Sequence, residues 1–118
     1  MPKGDRDILK ADPEDGTTPI SNLLLEAVAT VPLSGIEKGA VLALWRQTYG
    51  WTNGGGGRHT EAKLAANDWG RMLNTHPTYA NKVVRGLVQK SVFLSTDLGK
   101  GKGYIYSINT RVNQWLGG

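Results

Sequence analysis

Apolar positions recur along the chain with two different periods. Ile20, Leu23, Leu24, Ala27 and Val28 fall at i, i+3, i+4, i+7 and i+8, which places them on one face of a helix. Thr18 as the cap and Pro19 at the first helical position would start that helix, and Pro32 would end it. Ser34-Gly35-Ile36-Glu37 then has the form of a capping box. It predicts a second helix running to about Tyr49, stopped by Gly50, with Ile36, Val41, Leu44, Trp45 and Tyr49 turned inward. Residues 60–65 are compatible with a short strand or with an early helical turn. Asn67 is a good cap for a short helix in which Trp69, Met72 and Leu73 share a face, and Asn74 suits the left-handed residue that ends it. Thr75 or His76 caps the next helix and Pro77 opens it. Ala80, Val83, Val84, Leu87 and Val88 continue the stripe to about Lys90.

Past Lys90 the period changes from 3.6 to 2. Val92 to Thr96 reads as a strand, and Tyr104, Tyr106 and Ile108 alternate with Ile105 and Ser107 as a second one. Leu98 to Gly103 forms a glycine-rich turn between them. Residues 111–116, with Val112, Trp115 and Leu116, are expected to pack back on the core as a short helix. A short helix, a tight turn and an amphipathic helix make a helix-turn-helix. A hairpin directly after it makes the winged form. The expected fold is therefore mostly α with a small β-hairpin, a winged helix-turn-helix. It would occupy residues 18–118 behind a flexible tail at residues 1–17, where charges mix with Pro and Gly without any apolar period.

At 118 residues the chain has material for one core. Lacking cysteine, it can form neither disulfides nor thiolate metal sites, which fits a cytoplasmic setting. No apolar run has the length of a membrane span, and the charged N-terminus is unlike a secretory signal. The formal charge of +4 is unevenly distributed. Residues 58–118 carry nine Lys/Arg and three Asp/Glu, whereas residues 1–16 carry three and five. A basic unit of this kind favours a polyanionic partner. The acidic tail could compete with DNA for it.

The exposed side of the Pro77 helix sharpens that expectation, because no acid occurs between Thr75 and Ser95. A helix fits the major groove of duplex DNA with its N-terminal residues against the base edges. Those residues are His76, Thr78, Tyr79, Asn81 and Lys82, with Arg85 one turn on. Asn pairs with adenine, Lys and Arg with guanine or phosphate, and Thr and Tyr hydroxyls with phosphate. Lys100 and Lys102 would bind from the turn of the hairpin, and Arg71 would touch phosphate from the preceding helix. Trp45, Trp69 and Trp115 fall on faces expected to be buried, leaving Trp51 open. Gly54 to Gly57 is a flexible connection, since no Gly-Lys-Ser/Thr follows to make a phosphate-binding loop. His59 and His76 lack metal-ligand spacing, and no nucleophile–base set is recognisable. Neither catalysis nor a cofactor nor a metal is expected.

The segments Ile20-Ser-Asn-Leu-Leu-Leu-Glu-Ala27, Pro32-Leu-Ser-Gly35 and Thr48-Tyr-Gly-Trp51 resemble, in the same order, the N-terminal domain of the phage lambda-type replication protein O family. The resemblance covers roughly residues 19–109, and Tyr49-Gly50-Trp51 is its most specific part. It implies a replication initiator that binds repeated sequences at a phage origin through its helix-turn-helix, with self-association on the repeats. It also implies a separate region, absent from this chain, that recruits helicase-loading machinery. The terminal Gly117-Gly118 fits an excised domain. Two departures bear on base-level specificity. Asn74-Thr75-His76-Pro77 stands where the family has Gly-Leu-Ser, and Gly54 to Gly57 stands where it has a charged linker. A transcriptional regulator of the same fold and a protein-interaction winged helix are the alternatives.

Overall fold

The structure, a computed structural model, describes residue 11, residues 16–52 and residues 57–117. The expected tail and the Gly54–Gly56 part of the glycine connection lie largely outside the described residues. The elements in chain order are α1 (Asn22–Thr30), α2 (Gly35–Thr48), β1 (Glu61–Lys63), α3 (Ala66–Leu73), α4 (Pro77–Gln89), β2 (Phe93–Asp97) and β3 (Tyr104–Ile108). A 3-10 segment, Val112–Gly117, follows. No helix among the described residues is long and apolar enough to cross a membrane.

The first helix begins later than its sequence predicts. Ser21 caps α1, its Oγ accepting from the Leu24 N–H at 3.0 Å, in place of Thr18. The reason lies in Trp45, whose indole N–H donates to the Pro19 carbonyl at 2.6 Å and so holds that residue outside the helix. Pro32 acts as expected, because the residue before a proline is biased to extended backbone, and Val31 leaves the helix with ψ 137°. The capping box of α2 is complete, with Ser34 N–H donating to Glu37 at 2.8 Å and Glu37 N–H to Ser34 Oγ at 3.2 Å.

Helix α3 also departs from expectation at its start. Asn67 lies inside the helix, and the cap is Ala65, whose side chain can accept nothing. Asp68 at the third helical position compensates by accepting from the Ala65 N–H at 2.8 Å. Asn74 ends α3 in the left-handed region (φ 53°, ψ 49°), and His76 caps α4 with Pro77 at its first position. At the far end Ser91, at φ 64°, turns the chain out of α4 and into β2.

The expected hairpin is two strands of a three-stranded antiparallel sheet of order β1-β3-β2. Residues 61–63 form its third strand, pairing Glu61 with Ser107 and Lys63 with Ile105. The register of β2 on β3 pairs Phe93 with Ile108, Ser95 with Tyr106 and Asp97 with Tyr104. These six residues share one face, because side chains alternate along a strand. Its inner end is buried against the helices, and its outer end, at Ser95, Asp97 and Tyr104, is exposed.

Trp69 is the keystone of the core. It is fully buried on α3, stacked on Phe93 (ring centroids 5.7 Å apart) and edge-on to Tyr106 (5.6 Å). Among the described residues its indole N–H meets no acceptor. Val41 and Leu44 of α2 and Val84 and Leu87 of α4 complete the centre, all fully buried. The terminal segment is 3-10 where a short helix was expected, and it breaks at Trp115 (ψ 143°). The break lets the buried Trp115 donate its indole N–H to the Asn109 carbonyl at 2.8 Å.

Candidate nucleic-acid interface

Helix α4 divides cleanly between core and solvent. Ala80, Val84 and Leu87 are buried, while Thr78, Tyr79, Lys82, Arg85 and Gln89 are exposed and Asn81 is half-buried. The outward face is concave: Thr78, Asn81, Lys82, Arg85, Gly86 and Gln89 line an open hollow of about 560 Å³. Four of the residues singled out from the sequence are therefore brought together there: Thr78, Asn81, Lys82 and Arg85. Tyr79, half exposed, does not line this hollow. His76 serves first as the cap. Its Nδ1 accepts from the Thr78 N–H at 3.1 Å, which leaves Nε2 as the ring's donor.

The approach of α3 to α4 fixes how this face is presented. A Cβ at Gly70 would lie 2.9 Å from the Thr75 carbonyl oxygen and 3.1 Å from both Cα and Cγ of Pro77. The turn is closed by the Thr75 N–H donating to the Gly70 carbonyl at 2.9 Å. The other end of α4 is held by an ion pair, with Lys90 Nζ donating to Glu37 at the start of α2. Burial raises the Glu37 pKa, but the hydrogen bonds from Lys90 and Ser34 and the Lys90 charge outweigh it, so the net shift is downward.

Among the described residues the ion pairs engage Arg71 and Lys90. Arg71 Nη2 donates to Asp68 at 2.7 Å, so the phosphate contact expected of it would compete with an acid already in place. Lys82, Arg85, Lys100 and Lys102 have no acidic partner there. Both turn lysines are exposed. Their turn depends on Gly99 (φ 108°), Gly101 (75°) and Gly103 (86°), conformations that side chains resist. It is closed by the Leu98 N–H donating to the Gly103 carbonyl at 3.0 Å.

A second hollow, of about 210 Å³, lies between α4 and the sheet and is lined by Arg85, Val88, Gln89, Ser95, Tyr104 and Tyr106. It shares Arg85 and Gln89 with the first, so these two side chains border both hollows. Ser95 and Tyr104 were missed as site residues by sequence reasoning. The signal was present in the strand alternation, which puts them on the same face as Phe93, Tyr106 and Ile108.

A small helical domain with a three-stranded sheet and an acid-free cationic helix face is thus the class of protein defined here. The family model for bacteriophage replication protein O matches residues 9–115, nearly the whole chain, and the chain belongs to that family. No match was found among curated proteins or among solved structures. The Tyr49-Gly50-Trp51 segment is a structural corner at the end of α2. Tyr49 stacks on Trp45 (3.9 Å, 17°), and the Arg46 guanidinium lies 5.0 Å from the centroid of the exposed Trp51 ring. A Cβ at Gly50 would collide with the Arg46 carbonyl oxygen and come within 3.0 Å of Thr18 Oγ1.

Proposed function

We propose that this chain is the origin-binding domain of a phage-type replication initiator, and that it binds double-stranded DNA sequence-specifically. In this reading the fold is a winged helix-turn-helix. Helices α3 and α4 with the Asn74–His76 turn are the helix-turn-helix, α4 enters the major groove, and the β2–β3 turn is the wing. Asn81 reads a base edge. Thr78, Lys82, Arg85 and His76 share base and phosphate contacts, with Tyr79 and Arg71 at the margins. Lys100 and Lys102 bind phosphate from the wing.

The observation that carries the reading is the acid-free hollow on α4, where Thr78, Asn81, Lys82 and Arg85 converge in a chain of the replication protein O family. Tandem repeats would favour self-association on the DNA, and helicase-loading machinery would be recruited through a region outside this chain. Binding, without catalysis, is the proposed activity, in the cytoplasm of a bacterial host.

Fluorescence anisotropy with two labelled duplexes over a salt series tests it. One duplex carries repeats from the source replicon's origin, and the other has the same composition shuffled. Binding at least about tenfold tighter to the repeats is expected. Equal, steeply salt-dependent binding would remove the specificity. Tighter binding to a promoter site than to the repeats would favour a transcriptional regulator. Absence of binding at low salt would refute the DNA reading.

A further inference from the structure

Apart from Arg85, the lining of the groove between α4 and the sheet is not used by the contacts proposed above, yet it is chemically specific. Arg85 contributes a guanidinium, Gln89 an amide, and Ser95 and Tyr104 hydroxyls, above a floor formed by Val88 and the buried Tyr106. Every polar group named can donate a hydrogen bond. Asp97 pairs with Tyr104 across the strands but does not line this cleft, and its Oδ1 accepts from the Gly99 N–H at 2.9 Å. Arg85 stands close enough to oppose the rise in the Tyr106 pKa that burial and the neighbouring Tyr104 produce.

Position adds to composition. If α4 occupies a major groove and the Lys100–Lys102 turn reaches the adjoining minor groove, the sugar-phosphate strand between the two grooves must cross the gap between helix and sheet. We propose that this cleft is a phosphate clamp: Arg85, Gln89, Ser95 and Tyr104 hold one backbone phosphate of the bound duplex and set the register in which α4 meets the bases. The proposal rests on the DNA-binding reading and adds Ser95, Tyr104 and Gln89 to its contacts. A charge-assisted hydrogen bond from each hydroxyl, together with the Arg85 charge, gives the clamp positioning power without sequence preference.

Tyr104→Phe and Ser95→Ala in the full chain test it, since both side chains are exposed and neither change disturbs the core. Each variant is expected to weaken binding about three- to tenfold, equally on the origin-repeat and shuffled duplexes. Duplexes carrying a single neutral methylphosphonate, moved one position at a time, locate the phosphate. At one position the substitution should weaken the wild type and leave Tyr104→Phe no worse than it already was. Wild-type affinity in both variants, or losses that persist undiminished at every methylphosphonate position, would overturn the clamp while DNA binding stands. A wild type that binds no duplex at low salt would overturn both.

Discussion

Gly70→Ala tests whether the contact between α3 and the start of α4 sets the geometry of the exposed helix face. In an open helical position the change should help, since alanine exceeds glycine by about 1 kcal/mol in helix propensity. Here the new methyl would meet the Thr75 carbonyl oxygen at 2.9 Å and two atoms of Pro77 at 3.1 Å. None of these belongs to a flexible side chain. The carbonyl is part of the turn, and the proline ring is fixed at the first position of α4. Overpacking of this kind costs about 1–3 kcal/mol, so the net expectation is a loss of about 1 kcal/mol. For a domain near 100 residues that corresponds to a fall in Tm of roughly 4–8 °C. Gly86→Ala is the internal control. It sits within α4 with nothing within 4 Å of its added methyl, and it should gain about 0.5–1 kcal/mol. Thermal and urea denaturation of the two variants beside the wild type give the answer. A Gly70→Ala protein as stable as the wild type, or more so, would show that the turn yields and that this contact does not position α4.

The Glu37–Lys90 pair makes stability depend on acid. Because the folded-state pKa of Glu37 is lowered, its contribution is fully present above the ordinary glutamate value of about 4.3 and is lost as pH falls through the lower folded value. The stability gap between wild type and Glu37→Gln, measured by urea denaturation, should therefore be constant from pH 5 to 7 and narrow below about pH 4; a gap that widens there would contradict the assignment. On DNA, Lys100→Ala should weaken binding to all sequences and flatten the salt slope, whereas Asn81→Ala should mainly relax sequence preference; equal losses on every duplex from Asn81→Ala would remove its base-reading role. Asn109→Ala should cost about 2 kcal/mol in denaturation, because its amide donates to the Ser91 carbonyl at 2.8 Å and its Oδ1 accepts from the Arg111 N–H at 3.1 Å; a neutral outcome would show that water replaces it.

Much of this molecule could be read from local chemistry. The Ser34–Glu37 box, the left-handed Asn74, Pro77 opening α4 and the glycine turn before Tyr104 each follow from a residue's own conformational limits, and each stands where those limits put it. Where the reading missed or stayed open, tertiary contact decides at two places. Trp45, 26 residues away, takes the Pro19 carbonyl and delays α1 to Ser21. Strand β1 offers only Glu-Ala-Lys, too short for a period, and exists because β3 pairs with it. The α4 hollow was legible because it lies on one helix with one period. The cleft is legible only in part: strand alternation groups Ser95 with Tyr104, but which helix that face meets depends on the packing of the sheet against α4.

The order β1-β3-β2 also bears on how the domain assembles and where it gives way. Strands β2 and β3 are joined by a six-residue turn, whereas the pairing of Lys63 with Ile105 encloses about 40 residues, including both α3 and α4. Loop-closure entropy makes the second pairing about 2 kcal/mol harder to initiate than the first. The helix pair and hairpin thus form a local unit, and the three residues of β1 close over it as a latch. Native-state hydrogen exchange should find the Leu64 amide, which donates to the Tyr104 carbonyl at 3.3 Å, opening well before the amides of α4. Simultaneous exchange at both would mean that the latch and the unit beneath it open as one.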